Sequence, residues 1–258
     1  MKRRRWRTDW RGAVLPLGFV AAAQLAAFGQ FLTSDNLASP AAIAVAWWQA
    51  MLDGTLLAWT IETLAAALGG LALGGFVGLL LGIVFGLFRT IDRLMTLSVE
   101  AVRPIPSSAV IPVFLLIFGF GFRMEIAIVA FSTVWTVLIL TRAAVAGIEP
   151  RLIEVARALG LSFVAQTWKI ILPAALPRIF IAFRLASGIA LIVAVTVEVV
   201  ANPLGLGYGI MLTQQTFRPA LMFALLVWIG LIGWMLNAAL LWVQRRLFGP
   251  AAANEAAA

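Results

Sequence analysis

The sequence predicts an all-α integral membrane protein of about six transmembrane helices, with a helix–turn–helix loop on the cytoplasmic side. Three observations carry this. Of 258 residues, 63% are hydrophobic and 12% charged, and the mean hydropathy is +1.03, against roughly 45–50% apolar and about 25% charged in an ordinary soluble domain. Apolar stretches of spanning length recur along the chain, each needing about 20 residues to cross a hydrocarbon layer roughly 30 Å thick. Between them lie the Lys and Arg residues, which sort by topology rather than gathering on one face. There is no Cys and no His, which excludes thiolate and imidazole metal sites, a cysteine nucleophile and disulfides. The net charge of +8 points to no nucleic-acid partner.

Taken in order, Lys2, Arg3, Arg4, Arg5, Arg7 and Arg11 form a basic start (1–12) ahead of an apolar run at 13–32. A cleaved secretory signal is the alternative, but the run is long for one and many spans follow, so it is read as an uncleaved first span. Residues 40–51 are too short to cross and form an interfacial helix, with Ile43, Trp47 and Met51 on one face and Trp47 and Trp48 at headgroup level. The second span, 61–88, carries Gly70, Gly74, Gly78, Gly82 and Gly86 at every fourth position. That spacing cuts a groove along one face, for a packed helix or, less simply, for a solute. The third segment, 99–118, is interrupted by Pro104, Pro106 and Pro112 around Ser107 and Ser108, so it should line a cavity or a protein contact that satisfies freed carbonyls. The fourth span is 125–145, the fifth 179–200 and the sixth 221–243, with a loop holding Asn202, Pro203, Gly205, Gly207 and Gly209 before the last. Arg245 and Arg246 close the ordered part, and 249–258 is a flexible Ala-rich tail. With both termini in the cytoplasm, every basic residue except Arg123 and Arg218 falls on or near the inner side, as the positive-inside rule requires.

The longest polar segment runs from 147 to 178. Pro150 suits a helix first turn and Gly160 a left-handed helix end, giving a helix in which Glu154 can pair with Arg151 and Arg157. Ser162 can cap a second short helix, presenting Val164, Trp168 and Ile171, that Pro173 and Pro177 terminate. Within it, Glu154-Val155-Ala156, three residues, Gly160, nine residues and Ile170-Ile171-Leu172-Pro173 resemble the EAA loop of binding-protein-dependent ABC permeases. Val155 stands where the pattern has Ala. The resemblance covers roughly 61–248. Arg103-Pro104-Ile105-Pro106, Ala109, Pro112, Phe118-Gly119, Glu149 to Glu154, and Glu198 with Gly205-Leu206-Gly207 are similar to permeases for nitrate, sulfonates and taurine, a branch that also includes importers of thiamine-precursor pyrimidines and riboflavin-like compounds.

The resemblance implies one transmembrane domain over 1–258, an inner-membrane location, a homodimer enclosing a pore, an external solute-binding protein, and a cytoplasmic ATPase docked on the loop through Glu154, Ala156, Arg157, Gly160, Leu172 and Pro173. It implies no enzyme activity and no cofactor in this chain, ATP being bound by the partner; no Gly-rich loop ending in Gly-Lys-Ser or Gly-Lys-Thr occurs. Glu198 is the costliest intramembrane residue, at about 2.5–3.5 kcal/mol for a carboxylate at mid-bilayer. It is a pathway residue or a helix-ordering one, the latter fitting better if the solute is an anion. Ser107, Ser108 and Asn202 are further pathway candidates, with Gln214 and Gln215 weaker ones. An ion-coupled secondary transporter would need paired intramembrane acids or bases in two repeated halves, and a membrane enzyme a paired catalytic set. Neither explains the docking loop.

Overall fold

Successive apolar runs fold as a bundle of helices because lipid offers the backbone no partners, so each run must satisfy its own N–H and C=O groups. The structure, a computed structural model, describes residues 38–255 together with Gly18 and Gln24; the predicted first span and the basic start lie outside the described residues. The elements are α1 (Pro40–Leu52), α2 (Thr55–Leu87), α3 (Arg89–Val102), α4 (Ser107–Phe118), α5 (Phe122–Ala146), α6 (Pro150–Ala158), α7 (Phe163–Gln166), a π turn (Thr167–Ile171), α8 (Leu172–Val200), α9 (Gly205–Gln215) and α10 (Pro219–Glu255). Among the described residues four helices are long and apolar enough to cross a membrane, or five if the bent α3–α4 pair counts as one.

At the centre is α5, half of whose span is buried, against 17% of that of α10. The glycine face of α2 lies directly on it. A Cβ on Gly70 would meet the Val129 side chain and one on Gly78 the Val134 carbonyl at 2.5 Å, while Gly82 and Gly86 would press on Thr141 and Val145 at 2.6 Å. The groove is therefore filled by α5 backbone and serves packing, not solute. Met124, Ile128, Val129, Ala190, Ala194 and Val197 form the core between α5 and α8, and Ala144, Val145, Ile171, Ala175 and Ile179 close the end near residue 147. A third cluster joins α1, α2, α8, α9 and α10 through Ala50, Leu56, Leu191, Leu206 and Leu225.

The short α1 is anchored by Trp47, whose ring lies 5.6 Å from that of Trp228. Trp228 in turn donates from Nε1 to the Thr60 hydroxyl at 2.9 Å. Trp228→Phe keeps an aromatic ring but loses the pyrrole half and this bond, about 1 kcal/mol for the bond alone, and is expected to lower the thermal unfolding midpoint by at least about 2–4 °C. At the α1–α2 turn the Thr55 side chain, and then its backbone N–H, bond Asp53 and hold its carboxyl below the usual carboxylate range.

Four expectations are corrected. The third segment is not one continuous helix: α3 begins at Arg89 and meets α4 at 91°, the chain leaving helical geometry after Arg103 (φ −51°, ψ −41°) and standing extended at Pro106 (φ −61°, ψ 134°), whereas the lone Pro112 stays inside α4. Pro173 and Pro177 do not end a helix. The chain passes through the π turn, where Leu172 N–H reaches Thr167 O, so the backbone widens before the Pro173 ring opposes the preceding turn. The 205–215 stretch is helical, not loop, and the last helix runs through Arg245 and Arg246 to a break at Gly249 (φ 78°) and on to Glu255, where alanines favour helix.

Candidate functional site: the 147–173 segment and the Glu198 end of the bundle

Two groups of functional candidates lie at opposite ends of the bundle. The first is the 147–173 segment, at the end where α2 and α5 finish and α8 begins. Glu149 and Pro150 start α6. It closes in a two-bond left-handed cap: Gly160 N–H reaches Arg157 O at 3.0 Å, Leu161 N–H reaches Ala156 O at 3.1 Å, and Gly160 has φ +66°. Ser162 Oγ then accepts from Ala165 N–H at 3.3 Å and starts α7. The motif is held to the bundle by Phe163 against Phe88, with ring centroids 5.6 Å apart, and by Arg178 donating to Gly147 O at 3.4 Å. An Arg142–Asp92 pair at 2.7 Å fixes α3 beside it.

Ala156 is fully buried and faces inward, Leu172 is half-buried, and Glu154, Arg157, Gly160 and Pro173 are exposed. The expected pairing of Glu154 with Arg151 or Arg157 is not formed among the described residues. At this spacing such pairs contribute only about 0.2–0.5 kcal/mol to a solvated helix. Leu152, Val155, Leu159, Phe163, Val164 and Trp168 are all exposed. A rigid, capped helix thus projects an apolar face and an unpaired carboxylate away from the bundle.

The second group surrounds Glu198, which is 1% exposed in the last turn of α8. Its Oε2 accepts from Gly207 N–H at 2.7 Å, Glu62 Oε2 from Gly205 N–H at 2.8 Å, and Thr63 Oγ1 from Leu206 N–H at 2.9 Å. The first three N–H groups of α9 are thus capped by side chains of α2 and α8, and the carboxylates also meet its positive dipole end. Asn202, 1% exposed, donates from Nδ2 to Glu125 Oε2 at 2.6 Å. Glu198 and Asn202 border a groove of about 330 Å³ whose other walls include Phe120, Val199, Pro203 and Tyr208. Ser107 and Ser108 are not brought there, for they begin α4 while its far end leads to Phe120. Gln214 and Gln215 end α9.

Sequence reasoning missed Glu62, Thr63 and Glu125. The available signal was topological: Glu62, Glu125 and Glu198 each lie near the end of a span, and alternating helices bring those ends to one side.

Comparisons with known proteins agree with this architecture. The family model described as "Binding-protein-dependent transport system inner membrane component" matches residues 74–249. A Bacillus subtilis (strain 168) chain assigned as the permease of aliphatic sulfonate transport is 30% identical over 94% of this chain and 88% of its own length. The bicarbonate transport system permease of Synechococcus elongatus is 30% identical over 75% of this chain and 70% of its own. Among solved structures, an inward-facing MetNI methionine ABC transporter chain has the same fold, with a TM-score of 0.65 at 22% identity, covering 72% of this chain and 92% of that one. The chain belongs to the binding-protein-dependent transport system inner membrane components and is the membrane-embedded permease subunit of an ABC importer, not itself an enzyme.

Proposed function

We propose that the permease works as a homodimer in the bacterial inner membrane, with the 147–173 segment and both termini in the cytoplasm, and that it passes a small oxyanionic solute of the nitrate, sulfonate or taurine class. The whole chain then acts as one transmembrane domain. The exposed apolar face of Leu152, Val155, Leu159 and Trp168 beside the unpaired Glu154 is the observation that carries the docking of a cytoplasmic ATPase. Burying such a face in a groove of the partner stabilises the complex by the apolar area removed from water. The capped helix, tied at Phe88 and Gly147, transmits displacement to α2 and α8. Glu154, Arg157, Gly160 and Pro173 meet the ATPase, Ala156 and Leu172 seat the motif on the bundle, and ATP stays with the partner. On the far side an extracytoplasmic binding protein delivers the solute.

The solute class is supported by the relatives that transport aliphatic sulfonates and bicarbonate and by a taurine transport system permease of Escherichia coli, 29% identical over 80% of this chain. Glu198 suits an anion pathway only because its charge is engaged by α9 N–H groups; its part is to order that helix at the pathway edge, with Asn202 on the groove. A riboflavin transport system permease of Chloroflexus aurantiacus, 32% identical over 76% of this chain, keeps a heterocyclic solute as the second reading. The test is uptake into proteoliposomes containing the permease, its ATPase and its binding protein. ATP-dependent accumulation of an alkyl sulfonate, taurine or nitrate, and not of riboflavin, is expected; accumulation of riboflavin alone would replace the solute class.

A further inference from the structure

Arg184 stands inside the α8 span, roughly 9 Å further into the bundle than Arg178 at about 1.5 Å per residue. A charge within a span is tolerated where it is paired or faces a water-filled cavity. Pairing does not account for this one. Arg142 is engaged by Asp92 and Arg178 by Gly147 O. Arg184 has no carboxylate partner among the described residues and makes one long bond, from its guanidinium to Gln244 Oε1 at 3.4 Å. Gln244 is itself fully buried, and its Nε2 donor has no partner. A guanidinium carries five N–H groups and an amide two, so once the shared bond is made the two side chains offer a surplus of donors. Buried donors in folded proteins are nearly always satisfied, and a cationic cluster of donors is satisfied best by an oxyanion.

The surroundings give an anion a way in. Arg184 borders a strip of α8 that no other described helix covers. Gly188, Ile192 and Val199 are exposed, Ile192 by 68%, and Thr196 continues the strip between them at helical spacing. A Cβ on Gly188 would meet nothing within 4 Å. Val199 is also a wall of the groove beside Asn202, so the strip runs from that groove to Arg184.

We infer that Arg184, with Gln244, is an oxyanion-binding station in the solute pathway, and that the Gly188 to Val199 strip is the wall along which the solute reaches it. In taking the anion to be the solute, this rests on the reading of the chain as an oxyanion permease. A guanidinium presents two parallel N–H donors to two oxygens on one centre, the feature that nitrate, sulfonates and taurine share.

The sequence has no Cys, so Gly188→Cys gives the permease a single thiol for methanethiosulfonate reagents. The test compares labelling of the full-length permease, with its ATPase in lipid nanodiscs, by the ethylsulfonate reagent and by its trimethylammonium counterpart. Each rate is normalised to that of a free thiol and read on the permease by mass spectrometry. The sulfonate is expected to react faster by about tenfold or more, as a local positive field favours an anion. Adding Arg184→Gln should erase this preference and adding Arg184→Lys should keep it, with size exclusion confirming that each variant is folded. No labelling by either reagent would place the strip against lipid or protein and overturn the inference, as would equal normalised rates or a preference that survives Arg184→Gln. Labelling and uptake fail separately. Riboflavin uptake with the preference intact would replace the solute class and keep the anion site, whereas alkyl sulfonate uptake without the preference would keep the solute class and remove Arg184 from the pathway.

Discussion

Gly74→Leu is expected to abolish the folded bundle. At that position the α2 and α5 backbones are in contact: a Cβ would lie 2.8 Å from Ala130 Cα and press on the Ala130 carbonyl and the Thr133 hydroxyl. No side-chain rotation relieves a clash with backbone, and the neighbouring contacts at Gly70, Gly78, Gly82 and Gly86 stop α2 from tilting away locally. Overpacking a tight core costs about 1–3 kcal/mol and sometimes more. Here the leucine also separates the two helices that hold the core together. In detergent the variant should insert but elute as aggregate on size exclusion, with no cooperative unfolding transition. Gly230→Ala is the matched control, since its added Cβ meets nothing within 4 Å; it should elute and melt like the wild type. A monodisperse Gly74→Leu protein with a normal melt would show that the α2–α5 seam is not built as described.

What could be read from the sequence was whatever local spacing encodes. Gly70 to Gly86 mark a helix face because four residues bring the chain back to the same side, and Pro150 with Gly160 bound a helix because each fits one end of it. Pro104 and Pro106 were visible, but not that they would turn α4 through 91° from α3, an angle set by packing. Helix α9 was hidden because Gly205, Gly207 and Gly209 argue for loop. Its N–H partners come from Glu62 and Thr63, far away in sequence, and its glycines are needed because a Cβ would lie 2.7 Å from Glu198 at Gly207 and from Trp59 at Gly209. Tertiary contacts there outweigh a cost of about 1 kcal/mol per glycine. The same distance along the chain concealed the Glu125–Asn202 hydrogen bond. Glu198 alone read as an isolated intramembrane acid, and its neighbours stand on other helices.

The second large effect concerns Glu154 and Gly160. Glu154 is exposed and unpaired, so its removal leaves the permease's own stability unchanged and reports on the partner. Gly160 has open space around it, but its φ of +66° strains any β-branched residue by about 1–2 kcal/mol. Gly160→Val should therefore undo the Arg157 and Ala156 cap and misalign α6 against α7, without disturbing the spans. Together the two changes remove the charge and the geometry that the docking surface presents.

The most direct measurement is a pull-down of the cognate ATPase in detergent by the wild type and by the Glu154→Ala, Gly160→Val double variant, with size exclusion confirming that both are folded. Retention of the ATPase by the wild type and its loss, tenfold or more, by the folded variant is the predicted result. Equal retention by both, or no ATPase on the wild type, would contradict the assignment of the 147–173 segment as the coupling loop.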